Sequence, residues 1–319
     1  MRPSFSFTRK VKEEIVIKPY TEERLRSLIA AFIRINGVTK KEKGQKQLIL
    51  KTENAKIAKF IFLTVQKIYG LQVRFAYEKM MKFKKRTIYK IIFEQEVDYL
   101  LSDLEVSFSE NKIAKNIVYN DDMIGGYLAG GFLASGSVNS PTSSNYHLEI
   151  ALKQLKYARW FLKLIAKYKG GAFSPKTIKR RDKTIIYLKK SDQIADFLIL
   201  MGATECALEF ENIRIDREFI NIGNRLINLD KANYAKTTEA ALKQLANISV
   251  IQEKLGLQFL ANEKLKLLCQ LRLMHRDATL DELARHMSER LEKVVSKSNV
   301  NHLFRELNVL ATRYKGEEE

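Results

Sequence analysis

The stretch from Tyr127 to Ile150, YLAGGFLASGSVNSPTSSNYHLEI, constrains the fold more than any other part of the chain. It opens apolar and glycine-rich, passes through a polar turn and closes on an alternating run. Gly126, Ala129, Gly130 and Ala134 leave one helical face almost without side chains. Two helices that meet on such a face approach backbone to backbone. Gly136 stands where this helix should stop, since glycine is the usual residue just past a helix end. The run HLEIAL then alternates as a strand does.

The pattern has an echo. Arg26–Leu50 also holds an apolar helix with small residues (Ala30, Ala31), a glycine stop (Gly37), a polar turn and an apolar strand. Gly37 and Gly136 lie 99 residues apart (136 − 37). The same shift sets Leu48, Ile49 and Leu50 on His147, Leu148 and Glu149, and Gly70 on Lys169 beside Gly170. Three coincidences in one register predict an internal duplication, against the plainer alternative of two unrelated helix–strand units. In the first half, Thr21 with Glu22 and Glu23 opens the motif helix. An amphipathic helix is expected over 53–69 and strands over 72–77 and 87–93. The second half repeats this with a helix over 152–168, strands over 173–179 and 184–188, and a helix over 192–200. Residues 1–20 are polar with scattered aromatics and read at most as a leading strand.

Leu128–Gly136, LAGGFLASG, resembles the LAGLIDADG motif of homing endonucleases. In that family two such helices pair at a pseudo-twofold axis, and an acidic residue before each terminal glycine holds divalent metal at the DNA cleavage site. The matching positions here are Asn36 and Ser135. Neither is a carboxylate, and hard cations such as Mg²⁺ need anionic oxygen ligands. The resemblance therefore implies the fold and argues against the nuclease chemistry, so no catalytic residue, metal or cofactor is expected. Asp121, Asp122 and Glu149 are the acids nearest the second motif, at a spacing wrong for that family. The fold class expected is α+β, with a duplicated αββαββα-type domain followed by an all-α domain.

Fifty-six Lys and Arg against 37 Asp and Glu give a net charge of +19, which suggests a polyanionic partner beside the alternative of solubility alone. Cations cluster where the hairpins turn: Lys82, Lys84, Lys85 and Arg86 in one repeat, Lys179, Arg180, Arg181 and Lys183 in the other. In nucleases of this likeness curved sheets form a saddle over the duplex, and hairpin tips reach its backbone. These eight residues are candidate phosphate contacts, although charged tips also prevent edge pairing. No uninterrupted apolar stretch reaches the roughly 18 residues a membrane span needs, and no apolar signal core opens the sequence. A cytoplasmic location is expected. Cys206 and Cys269 read as small core residues, and the four histidines show no metal-ligand spacing.

Residues 203–231 mix a strand-like start with a charged helix, and 233–254 form a long helix without Gly or Pro. A first C-terminal helix spans 262–274. Thr279 and Glu282 make a capping box that opens a second helix through Met287. Ser296 caps a third, to Leu310, whose Val300, Leu303, Phe304, Leu307 and Leu310 form one buried stripe. The other side carries Lys297, Ser298, Asn299, Asn301, His302 and Arg305, the layout of a DNA recognition helix. A generic helical interaction module is the plain alternative. The connection 288–295 exceeds the tight turn of a helix-turn-helix and has room for an extra helical turn.

In this order, a LAGLIDADG-like duplication, a linker helix and a helix-turn-helix resemble the WhiA family of bacterial regulators. The likeness rests on Ala30–Val38 (AAFIRINGV), Leu128–Ile150, Asn224–Ala241 (NRLINLDKANYAKTTEAA) and Ser296–Leu307 (SKSNVNHLFREL). It implies a non-enzymatic regulator of transcription that binds double-stranded DNA at the nucleoid. Family members are linked to cell division and chromosome segregation, and to sporulation in actinobacteria. The domains expected are 1–225, with halves of about 21–110 and 121–215, a linker helix over 226–257, and a helix-turn-helix domain over 258–315. The family pattern usually has Gly where Asn299 stands and Arg where Leu303 stands; the lost cation is expected to weaken phosphate contacts or to alter the site read. Two rivals remain beside this reading, a metal-dependent endonuclease and a scaffold that binds a protein through the N-terminal domain. An RNA-binding role would need exposed aromatic platforms, and the aromatics here sit mostly at core spacing.

Overall fold

The computed structural model describes residues 6–42, 44–80 and 86–315, with Met80 and Arg86 as backbone alone. It divides into two compact units, one through Arg217 and one from Glu218. The first unit begins with α1 (Phe7–Ile15), then α2 (Glu22–Asn36), β1 (Val38–Glu42), β2 (Gln45–Thr52), α3 (Ala55–Tyr69), β3 (Val73–Met80), β4 (Arg86–Phe93) and α4 (Val97–Asp103). The second repeat gives α5 (Asp121–Ser135), β5 (Gly136–Val138), β6 (Leu148–Leu152), α6 (Leu155–Lys167), β7 (Lys176–Arg180), β8 (Lys183–Leu188) and α7 (Ser191–Leu200). Each repeat builds an antiparallel sheet, in the orders β1-β2-β4-β3 and β5-β6-β8-β7.

The motif helices α2 and α5 meet as the small residues require. A Cβ on Gly130 would stand 2.0 Å from the Leu28 carbonyl oxygen, and one on Gly126 2.5 Å from that of Arg24. Leu28, Phe32, Leu128 and Phe132 are buried around this crossing. The stop glycines work differently from the expectation. Gly37 and Gly136 do cap their helices, but with extended backbone (φ −71° and −83°). What excludes a side chain there is space: a Cβ would lie 2.5 Å from Ile33 O at Gly37 and 2.2 Å from the Phe132 ring at Gly136. Gly70 is the left-handed cap, at φ 64°.

The repeat register needs one correction. The helices match at a shift of 99 (121 − 22), but the strands do not. Leu48 and Leu50 are buried in β2 and Leu148 and Ile150 in β6, a shift of 100. From the end of the motif helix to the matching buried strand residue the second repeat is one residue longer, Asn36 to Leu48 (48 − 36 = 12) against Ser135 to Leu148 (148 − 135 = 13). A one-residue slip turns a strand's side chains to the wrong face, which is why pairing Leu48 with His147 fails. The sequence also passed over the short strands β1 and β5 beside the polar turns.

Two further elements differ from expectation. Residues 7–15 are a helix, not a strand: Phe7, Val11 and Ile15 bury one stripe, and Ser6 accepts the Arg9 amide at 3.3 Å. Nor does the segment after 203 start as a strand. One helix, α8, runs from Thr204 to Lys254. Glu14 of α1 caps its start, accepting the Glu205 and Cys206 amides at 2.8 Å each. Burial raises the Glu14 pKa, but bonds to Cys206 and Glu205 outweigh it and hold the carboxyl below its ordinary value.

In the second unit the end of α8 packs with α9 (Glu263–Met274), α10 (Leu280–Leu291) and α11 (Lys297–Lys315) around Ile248, Ile251, Leu268, Leu283, Phe304 and Leu307. Cys206 and Cys269 are both buried free thiols.

The α2–α5 contact gives a direct prediction. Gly130→Ala forces a backbone shift and should cost about 3 kcal/mol of first-unit stability. Gly70→Ala meets open space and should cost only about 1 kcal/mol, from its positive φ. Urea unfolding of the two variants measures the difference; equal losses would mean that the helices do not touch at Gly130.

Candidate nucleic-acid interface

The two motif helices end on Asn36 and Ser135, each engaged with backbone. The Asn36 side-chain oxygen accepts the Lys51 amide at 3.1 Å. The Ser135 hydroxyl donates back to the Gly131 carbonyl at 3.4 Å. The acids weighed from the sequence are each engaged by other groups. Asp121 and Asp122 open α5, roughly 20 Å from Ser135 at the helical rise. Asp122 takes the Arg24 guanidinium at 2.7 Å and the Thr21 hydroxyl at 2.9 Å, and Asp121 accepts the Lys169 amide at 3.3 Å. Glu149 faces His147 at 2.9 Å and Arg180 at 3.6 Å.

Lysines surround the helix ends instead. A cavity of about 600 Å³ is bordered by Lys12, Asn36, Lys51 and Ala134. Another, of about 410 Å³, is bordered by Asn36, Ser135, Lys153 and Lys183. Glu53 is the one carboxylate on either lining among the described residues. Lys12 donates to the Leu133 carbonyl at 3.1 Å and lies over the Phe132 ring at 5.5 Å. Its ammonium meets the negative end of α5, and burial lowers its pKa to about 8. Sequence reasoning missed this residue, because Lys12 sits in α1, and nothing in the spacing of α1 residues points to α5.

The hairpin tips are described on one side only. Lys82, Lys84 and Lys85 lie outside the described residues, and Arg86 is placed by its backbone at the start of β4. In the other repeat Lys179, Arg180, Arg181 and Lys183 are all exposed around the β7–β8 turn, with Arg181 in left-handed backbone (φ 55°).

The second unit presents the other group of candidates. The capping box forms: the Thr279 amide donates to Glu282 at 2.7 Å, and the Glu282 amide to the Thr279 hydroxyl at 3.3 Å. The helix it opens continues beyond Met287 to Leu291, taking up the extra turn, so the connection is 292–296 rather than 288–295. Glu292 ends α10 in left-handed backbone, and Ser288 accepts the Val295 amide at 2.9 Å, which fixes the turn. Ser296 accepts the Asn299 amide at 3.2 Å and starts α11. On α11, Val300, Leu303, Phe304, Leu307 and Ala311 are buried, while Lys297, Ser298, Asn299, Asn301, His302 and Arg305 are all exposed on the remaining surface. Lys297 pairs with Asp281 at 2.7 Å, which ties the start of α11 to the start of α10.

Two residues change the sequence reading of this face. Leu303 is buried, so this position belongs to the core and not to the exposed face, and the expectation of a cation lost from that face does not apply. Arg272 was not foreseen. It is 1% exposed, donates to the carbonyls of His275, Arg276 and Ala278 at 3.3, 3.1 and 2.6 Å, and lies over the Phe304 ring at 5.5 Å. It locks the α9–α10 turn against α11. Burial lowers its pKa, and the carbonyls make that burial tolerable.

Lys12 yields a pH prediction. Its folded pKa of about 8 lies below the ordinary 10.5, so at neutral pH the folded chain holds a charge that burial disfavours. That destabilisation is full below pH 8 and fades as pH rises toward 10.5. Lys12→Met should therefore stabilise the fold at pH 7, by on the order of 2 kcal/mol, with the advantage shrinking by pH 10. Unfolding of both forms at the two pH values tests this; a gap that does not change with pH would contradict it.

Comparison with known proteins agrees with this anatomy. Residues 22–107 match the WhiA N-terminal LAGLIDADG-like domain, 124–220 the WhiA LAGLIDADG-like domain and 224–311 the WhiA C-terminal HTH domain. "Probable cell division protein WhiA" of Lactobacillus gasseri is 38% identical over 316 residues, 98% of this chain and 99% of that protein. The protein of the same name from Staphylococcus aureus is 33% identical over 317 residues, again 98% and 99%. The crystal structure of full-length DUF199/WhiA from Thermatoga maritima shares the fold at 23% identity, with a TM-score of 0.58 over 97% of this chain and 98% of that one. The Lactobacillus and Staphylococcus relatives are both named as probable cell division proteins. With all three domain types in order, and relatives of this identity along almost its whole length, the chain belongs to the WhiA family.

Proposed function

We propose that this protein is a non-enzymatic DNA-binding regulator of transcription that serves cell division and chromosome segregation, acting in the cytoplasm at the nucleoid. The observation that carries the reading is α11. Six polar or cationic residues stand exposed on one side of a helix whose other side is core. In this reading the first turns of α11 enter the major groove. Asn301 pairs with an adenine edge and Arg305 with a guanine edge, as the geometry of those side chains allows. Lys297, Ser298, Asn299 and His302 serve phosphates and neighbouring bases, helped by the positive end of the helix. Ser288, Arg272 and the Lys297–Asp281 pair hold the helix in place. The net charge of +19 supports a polyanionic partner.

The first unit would add salt-dependent phosphate contacts through Lys179, Arg180, Arg181 and Lys183, with Lys82, Lys84, Lys85 and Arg86 in the other repeat. Exposed Phe75, Tyr77 and Ile178 on the outer strands β3 and β7 also suit a protein partner on this unit. Neither role involves nuclease chemistry, since Asn36 and Ser135 offer a metal no anionic oxygen.

Two measurements test the proposal. Arg305→Ala and Asn301→Ala should each weaken specific binding by about 1–3 kcal/mol and relax the preference at one base pair, with thermal unfolding unchanged. Operator affinity equal to the parent in both would move recognition off α11. Replacing Lys179, Arg180, Arg181 and Lys183 together by Ala should reduce the slope of log affinity against log salt by about 0.9 for each phosphate these side chains neutralise. An unchanged slope would remove these residues from the interface.

A further inference from the structure

The long helix α8 uses one face on its own domain and leaves the opposite one bare. Phe210 is buried in the first unit, and Arg217, seven residues on and so on the same face, donates to the carbonyls of Pro141 and Ser143 at 2.8 and 2.6 Å. On the other side stand Ile215, Phe219, Ile222, Leu226 and Leu229, each between 42% and 71% exposed. Solvent gives no reason for five large apolar side chains in a row. Their spacing gives one. The steps are 4, 3, 4 and 3 residues, the 3.5-residue repeat of a seam that one helix presents to another. Extended by the same steps, the seam takes in Leu208 and Asn212 before it and Asn233 after it, all within α8.

We propose that a second copy of this chain covers this seam, the two α8 helices forming a parallel, in-register coiled coil over 208–233. The two asparagines select the partner and its direction. In parallel register each seam residue meets its own counterpart, so Asn212 meets the partner's Asn212 and Asn233 the partner's Asn233, and the amides bond to one another. The antiparallel arrangement centred on the same apolar residues sets Asn212 against the partner's Leu229 and Asn233 against the partner's Leu208, burying each amide against aliphatic carbon. A buried asparagine at such a position is the device that fixes register and pairing in two-stranded coils. The flanking charges agree. Arg225 and Asp230 lie beside the seam five residues apart and face one another across a parallel pair. Glu211 and Asp216 would meet as like charges, but Glu211 already holds Arg214 at 2.6 Å. The face that packs on the first unit, at Phe210 and Arg217, points away from the seam, so pairing leaves those contacts in place.

The test uses the full-length protein without DNA, so its result is separate from the DNA-binding reading. Sedimentation velocity over a wide concentration range should show a reversible dimer. Ile222→Lys combined with Leu226→Lys should raise the dissociation constant roughly 100-fold or more, with circular dichroism and melting of the monomer unchanged because both side chains are exposed in it. Asn233→Cys should give a disulfide-linked dimer under mild oxidation, whereas the buried native cysteines give none. A parent protein that stays monomeric at every concentration overturns the proposal and leaves the seam to a helix of another protein. So does a dimer that survives the double lysine variant. A dimer in which Asn233→Cys forms no cross-link overturns the parallel register, and if the lysine variant fails to fold this cross-link alone decides the proposal.

Discussion

The close backbone crossing of α2 and α5 is the constraint on which the first unit depends. At Gly126 and Gly130 any side chain would run into the carbonyls of Arg24 and Leu28. Contact this close fixes where each helix ends, and so where each sheet begins, because β1 starts one residue beyond Gly37 and β5 directly after Ser135. The two repeats are thus locked as a pair by atoms that are not there. Dispersion between facing backbones and the surrounding Leu28, Phe32, Leu128 and Phe132 does the rest.

This separates the architecture from the chemistry it resembles. The crossing requires glycine at its centre; nothing in it requires a carboxylate at its end. The packing does not depend on an anionic oxygen at Asn36 or Ser135, and neither side chain offers one to a divalent metal. Lys12, arriving from α1 onto the Leu133 carbonyl, supplies positive charge at the same helix end. In the second unit the burden falls on side-chain hydrogen bonds to the backbone. Arg272 closes three carbonyls at the α9–α10 turn, and Ser288 holds the connection into α11. The recognition face proposed for α11 is only as specific as that helix is fixed, and these bonds fix it.

Much of this is legible in the amino-acid sequence. The small-residue face, the capping box at Thr279 and Glu282, and the stripe at Val300, Phe304 and Leu307 each follow from local rules with one physical outcome. The failures share a cause: they depend on distant partners. The stripe of Phe7, Val11 and Ile15 becomes a helix because Phe210 and the start of α8 lie against it, and 191 residues separate Glu14 from the Glu205 amide it caps. The one extra residue between the end of α5 and Leu148 is invisible to a search with a fixed shift. Arg272 reads as a surface cation until the carbonyls around it are placed. The seam on α8 shows the converse, a pattern present in the sequence whose meaning appears only when the helix is seen to be continuous and that face exposed.

The measurement that bears most directly on the account is footprinting of the full-length protein on genomic fragments, with and without Mg²⁺, read for protection and for strand breaks together. The account predicts a sequence-specific footprint that is the same with and without the metal, and no scission in either condition. Metal-dependent cleavage would contradict it, because Asn36 and Ser135 would then be holding an ion that their chemistry cannot hold.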